Sequence, residues 1–243
     1  MPGILAPSGV QVVEATRRVV HAPTCPDENA GGALAQGGHV APTRRWAGGS
    51  ATVDRMRAYI DESCREQLPG VFVLAAVVVP TPRADQVRAQ VRGHAQASGA
   101  RFHWHAEGSD RRVKFLEELA GFSLPAVVAV AAPIDPQRQE RARRKCLEQL
   151  LWELVQRDVR DLVLESRQER RDRHDRAAIL AGQKAGQVPA DLRYAFEQPS
   201  REPLLWLPDV VASVVSAVRA GLPGLSLAAL GPSVSLVEAG DAT

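Results

Sequence analysis

The chain has 243 residues, 45% of them apolar, and 30 basic against 28 acidic side chains leave a net charge of +2. That length and apolar share suit one large domain with a real core, and so small a charge does not by itself point to nucleic acid. Three widely spaced cysteines, Cys25, Cys64 and Cys146, exclude a disulfide framework or a zinc pattern. No apolar run reaches the roughly 18 residues that cross a bilayer, and Met1-Pro2-Gly3 opens no signal peptide, so a reducing cytoplasm is the expected place.

In chain order, residues 1–55 are rich in Ala, Gly, Pro, Thr and Arg without a sustained period, and a disordered extension is expected there. Met56, the only methionine after Met1, is a candidate translation start. Arg57 to Glu62 and then Val71 to Val79 read as strands, the second buried on both faces, with Pro69-Gly70 suggesting a hairpin between them. A helix is predicted over 82–98, a short strand over 101–105, and a helix over 109–121 capped by Ser109 or Asp110. A third apolar strand follows at 126–132. After Pro136 comes a long amphipathic helix, 137–157, with Leu147, Leu150, Leu151 and Leu154 on one face. Leu162 to Glu165 is the next strand, a charged stretch to Arg176 leads into a helix, 192–196 is an edge strand, and 203–220 is a last apolar helix. The domain is therefore expected over 56–221, with 222–243 as a flexible tail. Antiparallel strands first and strand–helix alternation afterwards predict an α/β fold: a mixed sheet with helices on both faces, in the order found in ribonuclease-H-like folds.

Three carboxylates stand where they could share a site. Asp61 ends the first strand, on the face opposite Glu62 by the period of two. Glu165 ends a later strand, and Asp209 is the one charge in the apolar stretch from Pro203 to Val211. Carboxylates brought together repel unless a cation neutralises them, and oxygen donors suit Mg2+ or Mn2+. Two such ions can activate water and stabilise the leaving oxygen of a phosphodiester. The plainer alternatives are a turn former at Asp61, a surface salt bridge at Glu165 and an N-cap at Asp209.

Phe102-His103-Trp104-His105-Ala106-Glu107 alternates, with Phe102 and Trp104 inward and His103, His105 and Glu107 on the other face. A His-x-His pair suits zinc, but no fourth ligand is evident. His105 or Glu107 is better read as a phosphate contact, an acid/base or an extra metal ligand. The basic stretches at 138–145 and 167–176 are interleaved with Glu140, Glu148, Glu169, Asp172 and Asp175, the pattern of a solvated helix face laced with ion pairs.

Tyr59-Ile60-Asp61-Glu62-Ser63 resembles the strand-end Asp-Glu-Ser motif of the family called domain of unknown function 3800, and Leu205 to Ala212 resembles that family's late helix. The resemblance spans about 56–221. It implies a ribonuclease-H-like fold, a nuclease or mobile-element role, and Asp61, Glu165 and Asp209 as the metal set, with Glu62 a fourth. Two positions depart from the pattern: Cys64 replaces a glycine, and Pro208 replaces a small residue and is expected to start the helix afresh at Asp209. The functional expectation is a divalent-metal-dependent nuclease acting on DNA or RNA. The alternatives are a catalytically silent binding module of a mobile-element or defence system, and an enzyme acting on a non-nucleic phosphate ester.

Overall fold

The computed structural model describes residues 55–66, 70–95 and 101–240; the expected N-terminal extension, apart from Arg55, lies outside them. Six strands form one sheet in the order β5-β4-β1-β2-β3-β6. β1 (Met56–Arg65), β2 (Gly70–Pro80) and β3 (Ala126–Ile134) make an antiparallel meander. β4 (Asp161–Glu165) joins β1 in parallel, and β5 (Arg193–Glu197) joins β4 in parallel. This meander with two parallel strands added beside its first member is the ribonuclease-H-like arrangement expected from the sequence.

Alternation along the strands sorts the core into two halves. Tyr59, the odd-numbered residues from Val71 to Val79, and Val163 face α1 (Ala84–Arg92), α2 (Ser109–Phe122) and α5 (Trp206–Arg219). Ile60, Phe72, Leu74, Leu162 and Leu164 face α3 (Gln139–Gln156) and α4 (Glu169–Lys184). β2 is covered on both sides, which is why its sequence is an unbroken apolar run. Among the described residues no helix is long and apolar enough to cross a membrane.

Several boundaries differ from expectation for physical reasons. The predicted strand at 101–105 stays extended only to His103 and then closes into a 3-10 turn, Trp104–Ala106. Among the described residues no strand pairs with it, and the Trp104 N–H goes to the Asp209 carboxylate instead of a ladder. The helix predicted from 82 is a 3-10 turn, Thr81–Arg83, followed by α1, which ends before Gly93. Gly108, not Ser109 or Asp110, occupies the N-cap of α2. The charged stretch after β4 is already helical from Glu169, since Asp172 and Asp175 lie on the buried side of α4. α5 does not restart at Asp209: it runs from Trp206, and Pro208 sits in the first turn, where a missing N–H costs no helical bond.

The stretch expected as a flexible tail holds a 3-10 turn at Leu227–Leu230 and β6 (Val234–Glu238), which adds to β3 in parallel. Val234 and Leu236 pack toward one half of the core and Val237 toward the other.

Candidate carboxylate site

Strand parity builds the site. Asp61 lies two residues beyond Tyr59 and Glu165 two beyond Val163, so both carboxylates emerge on the face that α5 covers. Ile60 pairs with Leu164 in the parallel ladder, so Asp61 and Glu165, one residue further on, stand on adjacent strands about 4.8 Å apart. Asp209 comes down from the first turn of α5. The three border a single cleft of about 270 Å³ that His103 and His105 also line.

The cluster is electrostatically loaded. Asp61 is 6% exposed. Burial, then the charges of Glu62 and Glu165, a hydrogen bond shared with Glu165 and the charge of Asp209 push its carboxyl well above the ordinary 3.8. Its Oδ1 accepts the Glu62 backbone N–H at 2.7 Å. Asp209 is more heavily bonded. Its Oδ2 accepts the Trp104 N–H at 3.2 Å and lies 3.1 Å from His103 Nδ1, while its Oδ1 accepts the Ser213 hydroxyl at 3.4 Å. The hydrogen bond to Asp209 raises the His103 pKa above 6.5, whereas burial lowers that of His105. His105 Nε2 lies 3.5 Å from Ser213 Oγ. Glu165 Oε1 accepts from Arg101 at 3.4 Å.

Two expected site residues are engaged elsewhere. Glu62 borders the cleft, but it points to the opposite side of the sheet. There Arg143 NH1 donates to its Oε2 at 2.6 Å and Arg167 Nε stands 3.7 Å from its Oε1. Glu107 is buried, accepts from Arg111 Nε at 2.6 Å and does not line the cleft. The basic stretches are also not the uniformly solvated face expected. Arg144 pairs with Glu148 at the surface, but Arg143 is 1% exposed and forks onto Asp175, with Nε 3.0 Å from Oδ1 and NH2 2.8 Å from Oδ2.

Among the residues that sequence reasoning did not place in the site are His103, Arg101, Arg167 and Ser213. For His103 a signal existed, since alternation put it on the same face as His105. The 3-10 turn that follows it sends the two rings to different partners, Asp209 and Ser213. Among the described residues, no three His, Cys, Asp or Glu side chains already stand at the spacing of an assembled metal centre.

No family model matches the chain, and no curated protein matches it. Among solved structures it is similar to Bst-RNase HIII in complex with Mn2+, at 13% identity and a TM-score of 0.43 over 70% of this chain and 56% of that one. The match therefore spans little more than half the length of that protein. A chain of the PCNA:RNase HII complex from Archaeoglobus fulgidus is similar at 18% identity and a TM-score of 0.44, over 68% of this chain and 75% of that one.

Proposed function

We propose that this protein is a divalent-metal-dependent phosphodiesterase acting on DNA or RNA, with Asp61, Glu165 and Asp209 holding Mg2+ or Mn2+. The observation that carries this reading is the convergence of three carboxylates from β1, β4 and α5 on one cleft, where burial first and the neighbouring carboxylates second push the Asp61 carboxyl toward its protonated form. A hard cation among oxygen donors relieves that repulsion, so the donor set fits the group. The resemblance of Tyr59 to Ser63 and of Leu205 to Ala212 to the family called domain of unknown function 3800 supports the same three residues, and membership of that family is part of the proposal.

When bound, such ions activate water and stabilise the leaving oxygen of a phosphodiester. The chain's own residues prepare the place. The Trp104 N–H and His103 fix one oxygen of Asp209, so its carboxylate cannot rotate freely. Burial lowers the His105 pKa and so favours its neutral ring, which stands at the cleft wall, where it can accept or pass a proton. The experiment is calorimetry with Mn2+ and Mg2+ on the wild type and Asp61→Asn, followed by incubation of both with single- and double-stranded DNA and RNA. Binding and cleavage that vanish together in the variant are expected. A wild type that binds no ion and cuts nothing overturns the reading.

The second reading is a catalytically silent binding module. What favours it is that the protein already supplies partners to the cluster, Arg101 to Glu165 and His103 to Asp209. Under that reading Asp61→Asn leaves partner binding intact.

A further inference from the structure

Among the described residues two arginines line the cleft, and they differ in how firmly they are held. The Arg167 side chain is 10% exposed and committed on several sides: it pairs with Glu140 at 2.8 Å, with Asp175 at 3.4 Å and with Glu62 at 3.7 Å. The Arg101 side chain is 40% exposed. Among the described residues its hydrogen-bonding partner is Glu165, through NH1 at 3.4 Å, a long contact for a charge-assisted bond. Glu165 is also one of the three carboxylates proposed to hold the cation. A divalent ion at Glu165 competes with the guanidinium for the same oxygens and leaves a partly exposed, permanently charged fork at the cleft wall.

We propose that Arg101 is the residue that binds the substrate phosphate: it rests on Glu165 while the cleft is empty and moves onto the phosphodiester when a cation takes Glu165. This rests on the metal-dependent phosphodiesterase reading above. The chemistry suits the group. Arginine stays charged at any working pH and matches a phosphate's non-bridging oxygens with two parallel N–H donors, which lysine cannot do. The exchange also keeps the charge balanced at each stage, since the guanidinium offsets Glu165 before the ion arrives and offsets the phosphate afterwards.

The test compares wild type, Arg101→Ala and Arg101→Lys. Mn2+ affinity is measured by calorimetry. Binding of a cleavage-resistant phosphorothioate strand of about 12 nucleotides, as DNA and as RNA, is measured by fluorescence anisotropy with Mn2+ present across a salt series. In Arg101→Ala, Mn2+ affinity is expected to stay the same or tighten, because Glu165 is freed. Strand affinity is expected to fall about tenfold whatever the sequence, and the slope of log K against log salt to become shallower by about 0.7. Arg101→Lys is expected to keep the slope and lose part of the affinity.

An unchanged slope and strand affinity in Arg101→Ala overturns the proposal, because Arg101 then stays on Glu165. A drop in Mn2+ affinity overturns it in favour of a structural ion pair. A wild type that binds neither Mn2+ nor the strand is a different failure, since it removes the phosphodiesterase reading and this inference with it.

Discussion

Replacing Arg143 by methionine removes a guanidinium that is 1% exposed and satisfied on two sides. Three of its nitrogen atoms are used: Nε and NH2 go to Asp175, and NH1 goes to Glu62. Methionine fills much of the stem volume, so the change tests the charge and not a cavity. It leaves Asp175, whose side chain is 4% exposed, with Arg167 NH2 at 3.4 Å, and Glu62 with Arg167 Nε at 3.7 Å. Breaking a buried pair from one side costs about 3–5 kcal/mol, because a desolvated charge is left without its partner. In a chain of this length each kcal/mol is about 2–4 °C, so the melting temperature is expected to fall by roughly 6–20 °C. Urea unfolding followed by circular dichroism reads the loss as a lower midpoint at an unchanged slope. A second arm, Arg143→Met with Asp175→Leu and Glu62→Gln, is expected to recover most of the stability, since no buried charge is then unpaired. A single-variant loss below about 1 kcal/mol would refute the argument, because that is what an exposed pair is worth.

Asp61→Asn is expected to stabilise the cation-free protein at pH 7. The folded pKa of Asp61 is raised above 3.8, so the stability it contributes is present below that value and is lost as pH rises through the folded pKa. Removing the charge is therefore expected to raise the melting temperature of the cation-free protein at pH 7, and the difference from wild type closes toward acid pH in a melting series. Mn2+ at a hundred times its Kd is expected to stabilise the wild type by about 2.7 kcal/mol and leave Asp61→Asn unmoved, and equal shifts in both would place the ion elsewhere. His103 follows the same sign at higher pH: its pKa is raised above 6.5 by the hydrogen bond to Asp209, so its contribution is full below 6.5 and is lost as pH rises through the folded pKa. His103→Gln is expected to flatten the fall in melting temperature of the cation-free protein between about pH 6 and 8, and an unchanged slope would sink the assignment. Glu107→Gln is expected to lower stability by about 1–3 kcal/mol through its bond to Arg111 without changing Mn2+ affinity by calorimetry.

How much of this was legible in the sequence depended on how local the signal was. Asp61 and Glu165 each end an apolar run, and parity then fixes the face they share, so both the sheet and the placing of two site residues followed from a period of two. Asp209 stood out as a single charge in an apolar helix. The start of α4 did not, because its inner side is built from Asp172, which accepts the Ser166 hydroxyl and the Arg167 backbone N–H, and Asp175, which meets the Arg143 and Arg167 guanidinium groups; a buried face made of such polar contacts carries no hydrophobic period. β6 was hidden for another reason. Five residues, Val-Ser-Leu-Val-Glu, are too few for alternation to rise above a Pro- and Gly-rich background, and only β3 beside them makes them a strand. The arginine partners of Glu62 and Glu107 were not legible, because sequence spacing shows a carboxylate but not the arginine that will meet it.

Asp61 was expected to end the first strand, but β1 runs on to Arg65 because β2 keeps pairing with it, so Asp61 and Glu62 are consecutive carboxylates within the strand, and the sheet resolves the conflict by sending them to opposite faces. Asp61 enters the cleft, where burial and like charges make its ionised form costly. Glu62 goes to the α3 side, where Arg143 and Arg167 supply two positive charges against Glu62 and Asp175. The link between the two faces is short: the Glu62 backbone N–H donates to Asp61 Oδ1, so the clamp on the Glu62 side chain also limits how far the Asp61 carboxylate can shift. Under the proposed cation-binding reading, a carboxylate cluster that waits for its ion needs a rigid support, or it would relax by moving apart. On this chain the support is a buried ion pair one residue away, on the far side of the same strand.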